Sequence, residues 1–417
     1  MIVDIILLSL ATLVGLYMAA NIGANDLANA MGTSVGSGSL TLKQAVLISI
    51  VADTLGAMLA GGYVTNTISK GMIDPSLLAG EPTKLMIGMF AALIAAGIWV
   101  NLATYFGLPV STTQAIVGAV VGFGIIGVGA GAVNWGKIFS IALSWIISPV
   151  AGAAIAGGTY YFTEKKILSA GDPEKASKRY APYLIFLVFL VLILSVIFKW
   201  LKNLHLEFGF FQTLLLTTPC AALAGVFGRV WMGRRLRHNN PENSLHKVDD
   251  VTAFFAQLQI LTACYVAFAH GANDVANAIG PLAAIFSVVT TKSVALQVEV
   301  PMWMLFIGGI AVGGGLLVFG ARVMETIGKN ITEITPVRGF CVQLGAATTI
   351  LICSRLGLPV STTHVLVGSV VGVGIMRGMG ALDLRVLKNI GFSWIVTLPF
   401  TILLAMLLYK LLTLFLL

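Results

Sequence analysis

From Ile5 onward the sequence is a succession of apolar runs about twenty residues long, separated by short polar stretches. A run of that length can cross the hydrocarbon core of a bilayer as one helix. Inside hydrocarbon every backbone N–H and C=O must find its partner within the protein, which leaves only helices and closed barrels. Barrel strands would alternate apolar and polar residues. These runs are continuous, so the chain reads as helical. Candidate spans lie near 5–24, 44–64, 85–103, 108–126, 138–162, 183–201, 210–231, 251–269, 302–321, 337–354, 358–376 and 388–416, about twelve in all. A further apolar stretch, 275–291, is short for a span. Those near 108–126 and 358–376 open on a polar cluster directly behind a proline, and broken or re-entrant helices are expected there. Only 10% of the 417 residues are charged, against the roughly 25–35% that a soluble surface needs. A soluble enzyme, a nucleic-acid binder and a disordered chain are thereby excluded. The net charge of +8 reads as the cationic bias of cytoplasmic loops. Cys220, Cys264, Cys341 and Cys353 form no CxxC pair and read as packing residues. Ile5 to Ala20 is similar to a signal-peptide core, but it lacks a basic leader and reads as the first span.

The chain repeats itself. Gly23-Ala24-Asn25-Asp26-Leu27-Ala28-Asn29-Ala30 returns as Gly271-Ala272-Asn273-Asp274-Val275-Ala276-Asn277-Ala278, an offset of 248. Gly107-Leu108-Pro109-Val110-Ser111-Thr112-Thr113 returns as Gly357-Leu358-Pro359-Val360-Ser361-Thr362-Thr363, an offset of 250, and Ser144-Trp145 returns as Ser393-Trp394. Three matches at nearly one offset indicate duplication. The expected organisation is a first repeat over 1–162, a two-span insert with polar loops over 163–249, and a second repeat over 250–417. The loops 163–182 and 229–250 carry Lys165, Lys166, Lys175, Lys178, Arg179, Arg229, Arg234, Arg235, Arg237 and Lys247. Two spans separate these loops, so both can be cytoplasmic. Counting five crossings outward from them, each polar-headed segment taken as one, puts both termini outside. Loops 322–338 and 377–388, rich in Arg and Lys, then fall inside, and their weakly charged counterparts 65–84 and 127–137 fall outside. A charge bias that reverses between halves marks inverted repeats, a common plan for transporters.

Asp26 and Asp274 fall at membrane depth, where an ionisable group costs at least about 2.5–3.5 kcal/mol and usually faces an ion or substrate path. Asn29 and Asn277 follow one turn later. Together with Asn25 and Asn273 they offer hard oxygens, which suit small hard cations, and the preceding Gly23 and Gly271 permit the backbone to unwind. In the second motif Pro109 and Pro359 disfavour helix before them, and Ser111 and Ser361 are good N-caps. Helices starting at Thr112-Thr113 and Thr362-Thr363 would point positive dipole ends and hydroxyls at an anion. His364 could pair with Ser361 for nucleophilic chemistry, but its counterpart is Gln114, so both read as polar liners. Gly32-Thr33-Ser34-Val35-Gly36 matches a hydrolase pattern without its strand–turn–helix context and reads as chance. His270 reads as a packed histidine or a pH-sensitive neighbour of the motif. Asp53, with Asn66 and Asn101 elsewhere in the same repeat, reads either as a transport residue or as one half of a polar pair.

On these duplicated motifs the sequence resembles the inorganic phosphate transporter family, the PiT-type phosphate permeases and sodium–phosphate symporters, over the whole chain except the insert. The segment from Lys329 to Gly339, with Thr335-Pro336, is also similar to the family. The resemblance implies a secondary transporter in the cell membrane, not an enzyme, without a cofactor, taking up phosphate with a coupling cation, and a homodimer. It implies that Asn25, Asp26, Asn273 and Asp274 fall at the ion and phosphate centre. It further implies that Ser111, Thr112, Thr113, Ser361, Thr362 and Thr363 fall at phosphate-binding helix starts. Asp53 stands where relatives often have Glu, Gln343 near a position where some have a carboxylate, and Gln114 where relatives often have His, so Asp53 and Gln343 are candidates for coupling. The expected mechanism is alternating access. Phosphate is held by Asn25, Asn273, the two Ser-Thr-Thr starts, Gln114 and His364, with Na⁺ at Asp26, Asn29, Asp274 and Asn277. Proton coupling, a sulfate permease and an uncoupled channel remain open alternatives.

Overall fold

The computed structural model describes residues 2–62, 64–65, 67, 71–203, 209–235, 244–294, 300–325, 334–378 and 382–416. Asn66, Arg237 and Lys329, named above, lie outside them. The described residues fold into helices: α1 (Ile2–Ile22), α2 (Ala28–Gly36), α3 (Leu42–Ala60), α4 (Pro82–Tyr105), α5 (Thr112–Gly127), α6 (Trp135–Thr163), α7 (Pro173–Asn203), α8 (Phe210–Arg235), α9 (Ser244–Thr291), α10 (Met302–Glu325), α11 (Pro336–Arg355), α12 (Thr362–Arg377) and α13 (Leu384–Leu416). Among the described residues nine helices are long and apolar enough to cross a membrane, and three shorter apolar helices accompany them. Local sequence sets several starts. Thr41 and Gln44 form a capping box ahead of α3, and prolines occupy the first turns of α4 and α11.

The two copies of the Gly-Ala-Asn-Asp motif differ in backbone. The first is a π-helical turn, Gly23–Leu27, joining α1 to α2. The second lies inside the unbroken α9, which runs through both 251–269 and 275–291. Unwinding at the second glycine, expected from the sequence, does not occur. Neighbouring turns of α9 supply every backbone partner there, so glycine's freedom goes unused.

Contacts at their ends show that the two motif-bearing helices run antiparallel. Lys292, just past α9, pairs with Asp4 at the start of α1. At the other end Gln259 of α9 accepts hydrogen bonds from Ser37 (2.7 Å) and Ser39 (2.6 Å), just past α2. α4 runs parallel to α1, with Tyr17 against Gly97, Asn21 against Asn101 and Asn25 against Thr104. α5 then turns back. Ile73 bridges Val133, and the Asp74 N–H donates to the Ala132 carbonyl at 3.0 Å, so the approach to α4 and the exit from α5 share one end of the molecule. α4 and α5 are therefore a helical hairpin entering from the Asp4 end, with its tip beside Asn25. α11 likewise runs parallel to α9, through Thr262–Gln343, Tyr265–Thr348 and Asn273–Ser354. α12 returns alongside α6, Gly152 lying at Ser369 and Gly157 at Gly372. This second hairpin enters from the Ser37 end. The segments near 108–126 and 358–376, counted above as separate crossings, are the return limbs of these hairpins.

The halves interlock. α6 packs along α12, and α13 along α5, so each hairpin's return limb is covered by a helix of the other half. α3 lies against α9 at two glycines. A Cβ on Gly56 would strike the Phe268 carbonyl, and one on Gly271 the Asp53 carbonyl. This close approach brings Asp53 to His270. Gly56→Val and Gly271→Val are expected to destabilise the protein by at least the ~1–3 kcal/mol of overpacking. Gly314→Ala, where a Cβ meets nothing within 4 Å, is expected to leave the melting temperature in detergent unchanged or raised. Wild-type-like melting of both valine variants would contradict the packing.

Candidate functional site

The two hairpin tips, approaching from opposite ends, meet at the crossing of α1–α2 with α9. Asp26 and Asp274 lie there, 2% and 0% exposed. Carboxylate oxygens of the two aspartates and a ring nitrogen of His270 all lie within 4.8 Å of one another. Two unit charges at that separation repel by about 3.5 kcal/mol even at an effective dielectric of about 20. The pair therefore calls for hydrogen-bond donors and a neutralising cation or proton.

The helix starts supply the donors, and they do so across the halves. Asp26 accepts from Thr112 of its own half and from Thr363 of the other, the latter at 2.5 Å. Asp274 accepts from Thr362 of its own half at 2.5 Å, with Thr113 of the other at 3.5 Å. Thr113 lies closer to the Val360 carbonyl (3.0 Å), just as Thr363 has the Val110 carbonyl at 3.0 Å. Asn29 donates to Thr363 at 2.9 Å and Asn277 to Thr113 at 3.1 Å. The side-chain carbonyl oxygens of Asn29 and Asn277 are both buried without a hydrogen-bond partner, a condition that costs about 1–3 kcal/mol each. Hard oxygens of this kind beside two carboxylates suit a small cation.

Other expected site residues serve the scaffold. Asn25 holds the first tip, donating to Thr104 (2.9 Å) and the Leu108 carbonyl (3.0 Å) and accepting from the Val110 N–H (3.0 Å). Asn273 holds the second, its amide reaching Ser354 Oγ at 3.0 Å in either orientation. Ser111 and Ser361 cap α5 and α12, accepting from the N–H of Gln114 and His364 at 3.1 Å. The His364 ring therefore makes no pair with Ser361. It stacks on Trp394, centroids 3.7 Å apart, with Nδ1 3.3 Å from the Trp145 carbonyl. Gln114 and His364 stay buried, each with one polar side-chain atom unpartnered. Gln343 is not part of this cluster. It bonds Thr33 and Ser34 farther along α2, and Thr262 of α9.

Two residues enter more firmly than the sequence suggested. His270 Nδ1 is 2.6 Å from Asp53 Oδ1, and its Nε2 is 3.0 Å from Asp274 Oδ2, though not aligned as a hydrogen bond. His270 thus ties Asp53 of α3 to the duplicated aspartates. The pair takes Asp53 from one repeat and His270 from the other, and Ile22 stands opposite His270 in the first copy, so the duplication could not signal it; adjacency to Gly271 was the available clue. Trp145 and Trp394, flagged by sequence only as duplicated positions, wall His364.

The family model described as the phosphate transporter family matches residues 22–405, which contain this whole arrangement. The chain belongs to that family. It is a family of membrane transporters and not of enzymes. A Pyrococcus horikoshii protein named "putative phosphate permease" is 44% identical over 97% of each chain. The Arabidopsis thaliana protein named inorganic phosphate transporter 2-1, chloroplastic, is 41% identical, over 94% of this chain and 70% of its own. A solved structure of a sodium-dependent phosphate transporter superposes with a TM-score of 0.90 at 40% identity, covering 98% of this chain and 99% of that one.

Replacing Thr363 by Val strips a hydroxyl from Asp26 and from Asn29 at once. A hydrogen bond to a charged group is worth about 1.5–3 kcal/mol, so Thr363→Val is expected to lower phosphate uptake at least about tenfold. The loss should exceed that of Thr113→Val, whose hydroxyl stands 3.5 Å from its carboxylate. Equal effects would show that the two cross-half contacts are equivalent in the working protein.

Proposed function

We propose that the protein imports inorganic phosphate by symport with Na⁺, through alternating access at the site between two inverted repeats. The observation that carries this reading is the buried Asp26–Asp274 pair with the bare side-chain oxygens of Asn29 and Asn277. Na⁺ ions held by these four residues offset the charge of the carboxylates. The hydroxyls of Thr112, Thr113, Thr362 and Thr363, released from them, then turn to phosphate oxygens. Both hairpins contribute a helix start, whose N-terminal dipole favours the anion. With Na⁺ ions bound beside the anion, the buried negative charge is reduced and the site can be re-exposed on the other side. Each ion raises the affinity for the other, as linkage requires. The name of the solved relative, a sodium-dependent phosphate transporter, supports Na⁺ over H⁺.

The antiparallel course of the motif-bearing helices and the opposite entry of the two hairpins support the inverted-repeat reading, with an insert of two helices between residues 163 and 249. The basic stretches 164–179, 322–338 and 377–388 follow helices that end at the Ser37 end. By the cationic bias of cytoplasmic loops that end faces the cytoplasm, and both termini lie outside in the cell membrane. The homodimer rests on family resemblance and is measured by the mass of the purified protein in detergent.

The decisive experiment is phosphate uptake into proteoliposomes with Na⁺ and H⁺ gradients imposed separately. Concentrative uptake is expected under a Na⁺ gradient at fixed pH. Uptake under a pH gradient alone would replace Na⁺ by H⁺, and failure of counterflow would indicate a channel. Asp26→Asn and Asp274→Asn are each expected to reduce uptake at least about a hundredfold, the ~2.7 kcal/mol equivalent of one lost charge contact; near-normal transport in both would refute the central role of the pair. Sulfate at a modest excess is expected not to compete, and effective competition would point to a sulfate permease.

A further inference from the structure

The site is duplicated, but its flanks are not. Beyond Asn29, toward the Ser37 end, α2 meets a buried cluster of amides and hydroxyls. The Gln343 amide of α11 reaches the Ala30 carbonyl (3.2 Å), Thr33 Oγ1 (3.0 Å) and Ser34 Oγ (2.6 Å), and its oxygen accepts from Thr262 of α9 (2.9 Å). The Gln259 amide of α9 donates to the Thr33 carbonyl (3.0 Å), and its oxygen accepts from Ser37 and Ser39. Thr33, Ser34, Gln259, Thr262 and Gln343 are all 0% exposed. Carried across by the motif offsets of 248 and 250, their counterparts are Pro281, Leu282, Ala11, Val14 and Leu93. Each of these five polar residues corresponds to an apolar one. Ala11, Leu93 and Leu282 are fully buried, Leu282 against Gly15.

These two flanks respond differently to opening. When a hydrogen-bonded seam parts, water replaces each bond it breaks and little is lost. Parting the counterpart exposes apolar surface with nothing in return. A charged solute leaving the site also needs polar partners along its path, because an unpaired charge is not tolerated against apolar walls. The cluster joins three separate elements, α2, α9 and the entry limb of the second hairpin, so it lies on a surface that hairpin movement can divide.

We propose that the Gln259–Gln343 seam is the passage by which phosphate and its cation leave the site toward the Ser37 end. α2 separates from α9 and α11, and the amides and hydroxyls that now satisfy one another turn to the departing ions. The apolar counterpart between α1, α4 and α9 stays closed during this release. This inference rests on the symport reading above, and binding and movement are therefore measured separately.

In the full-length protein, phosphate binding in the presence of Na⁺ is followed by isothermal titration in detergent, and exchange by counterflow of labelled phosphate in proteoliposomes. Thr33→Val, an isosteric change, and Gln259→Leu are expected to bind phosphate within about threefold of the parent while counterflow falls at least about tenfold. Thr33→Ser, which keeps the hydroxyl, is expected to restore exchange to within about twofold. If Gln259→Leu does not fold, Thr33→Val decides. Parent-like binding and exchange in the valine variant would make the seam static glue between helices and overturn the proposal. Parallel loss of binding and exchange would overturn it too, by assigning the cluster to the site itself. A parent protein that does not bind phosphate would instead sink the symport reading.

Discussion

Burying two carboxylates side by side is the constraint around which the molecule is arranged. Asp26 and Asp274 are out of water and close enough to repel. Neither could persist there without donors aimed at it. Those donors come from two helix starts that must themselves lie inside the membrane-spanning body, which a plain bundle of spanning helices does not provide. Hairpins that enter from opposite ends and stop at the crossing solve both problems. They bring Thr112 and Thr362 to the aspartate of their own half, and Thr113 and Thr363 toward that of the other.

The interlocking follows from the same need. A hairpin tip exposes backbone groups that have no partner in hydrocarbon. Asn25 and Asn273 reach them at the two tips, Asn273 through the Leu358 carbonyl, and serines cap the limbs that return. The return limbs are then covered by α6 and α13, each from the opposite half. Neither half could complete its site alone, which makes the contact between halves a natural place for coupled movement. The asymmetries sit outside this shared core. Asp53 with His270 occurs once, and the amide seam at Gln343 and Gln259 also occurs once.

Much of this was legible in the residues. The long apolar runs, the prolines ahead of Ser-Thr-Thr and the duplicated Gly-Ala-Asn-Asp pointed to helices, to re-entrant segments and to Asp26 and Asp274 as the place where chemistry concentrates. The roles within the motifs were less legible. Asn25 and Ser111 carry side chains that suit a ligand equally well, yet the backbone at the tip and the first turn of α5 claims them first. Gln343 is a candidate for coupling from where it falls in the family pattern, and only the packing of α11 against α2 places it beside Thr33 and Ser34, farther along α2 than Asn29.

Sequence alone determined what depends on local chemistry and on repetition: the helical class, the ends of the hairpin limbs, and the identity of the buried carboxylates. Only the tertiary structure decided which hydroxyl meets which carboxylate. The contacts Thr363–Asp26 and Thr113–Asp274 join residues 337 and 161 positions apart, and no spacing rule relates residues on different helices. The same holds for the unequal flanks of the site. Each polar residue of the seam looks unremarkable in its own helix, and its consequence appears only when three helices bring those residues together out of reach of water.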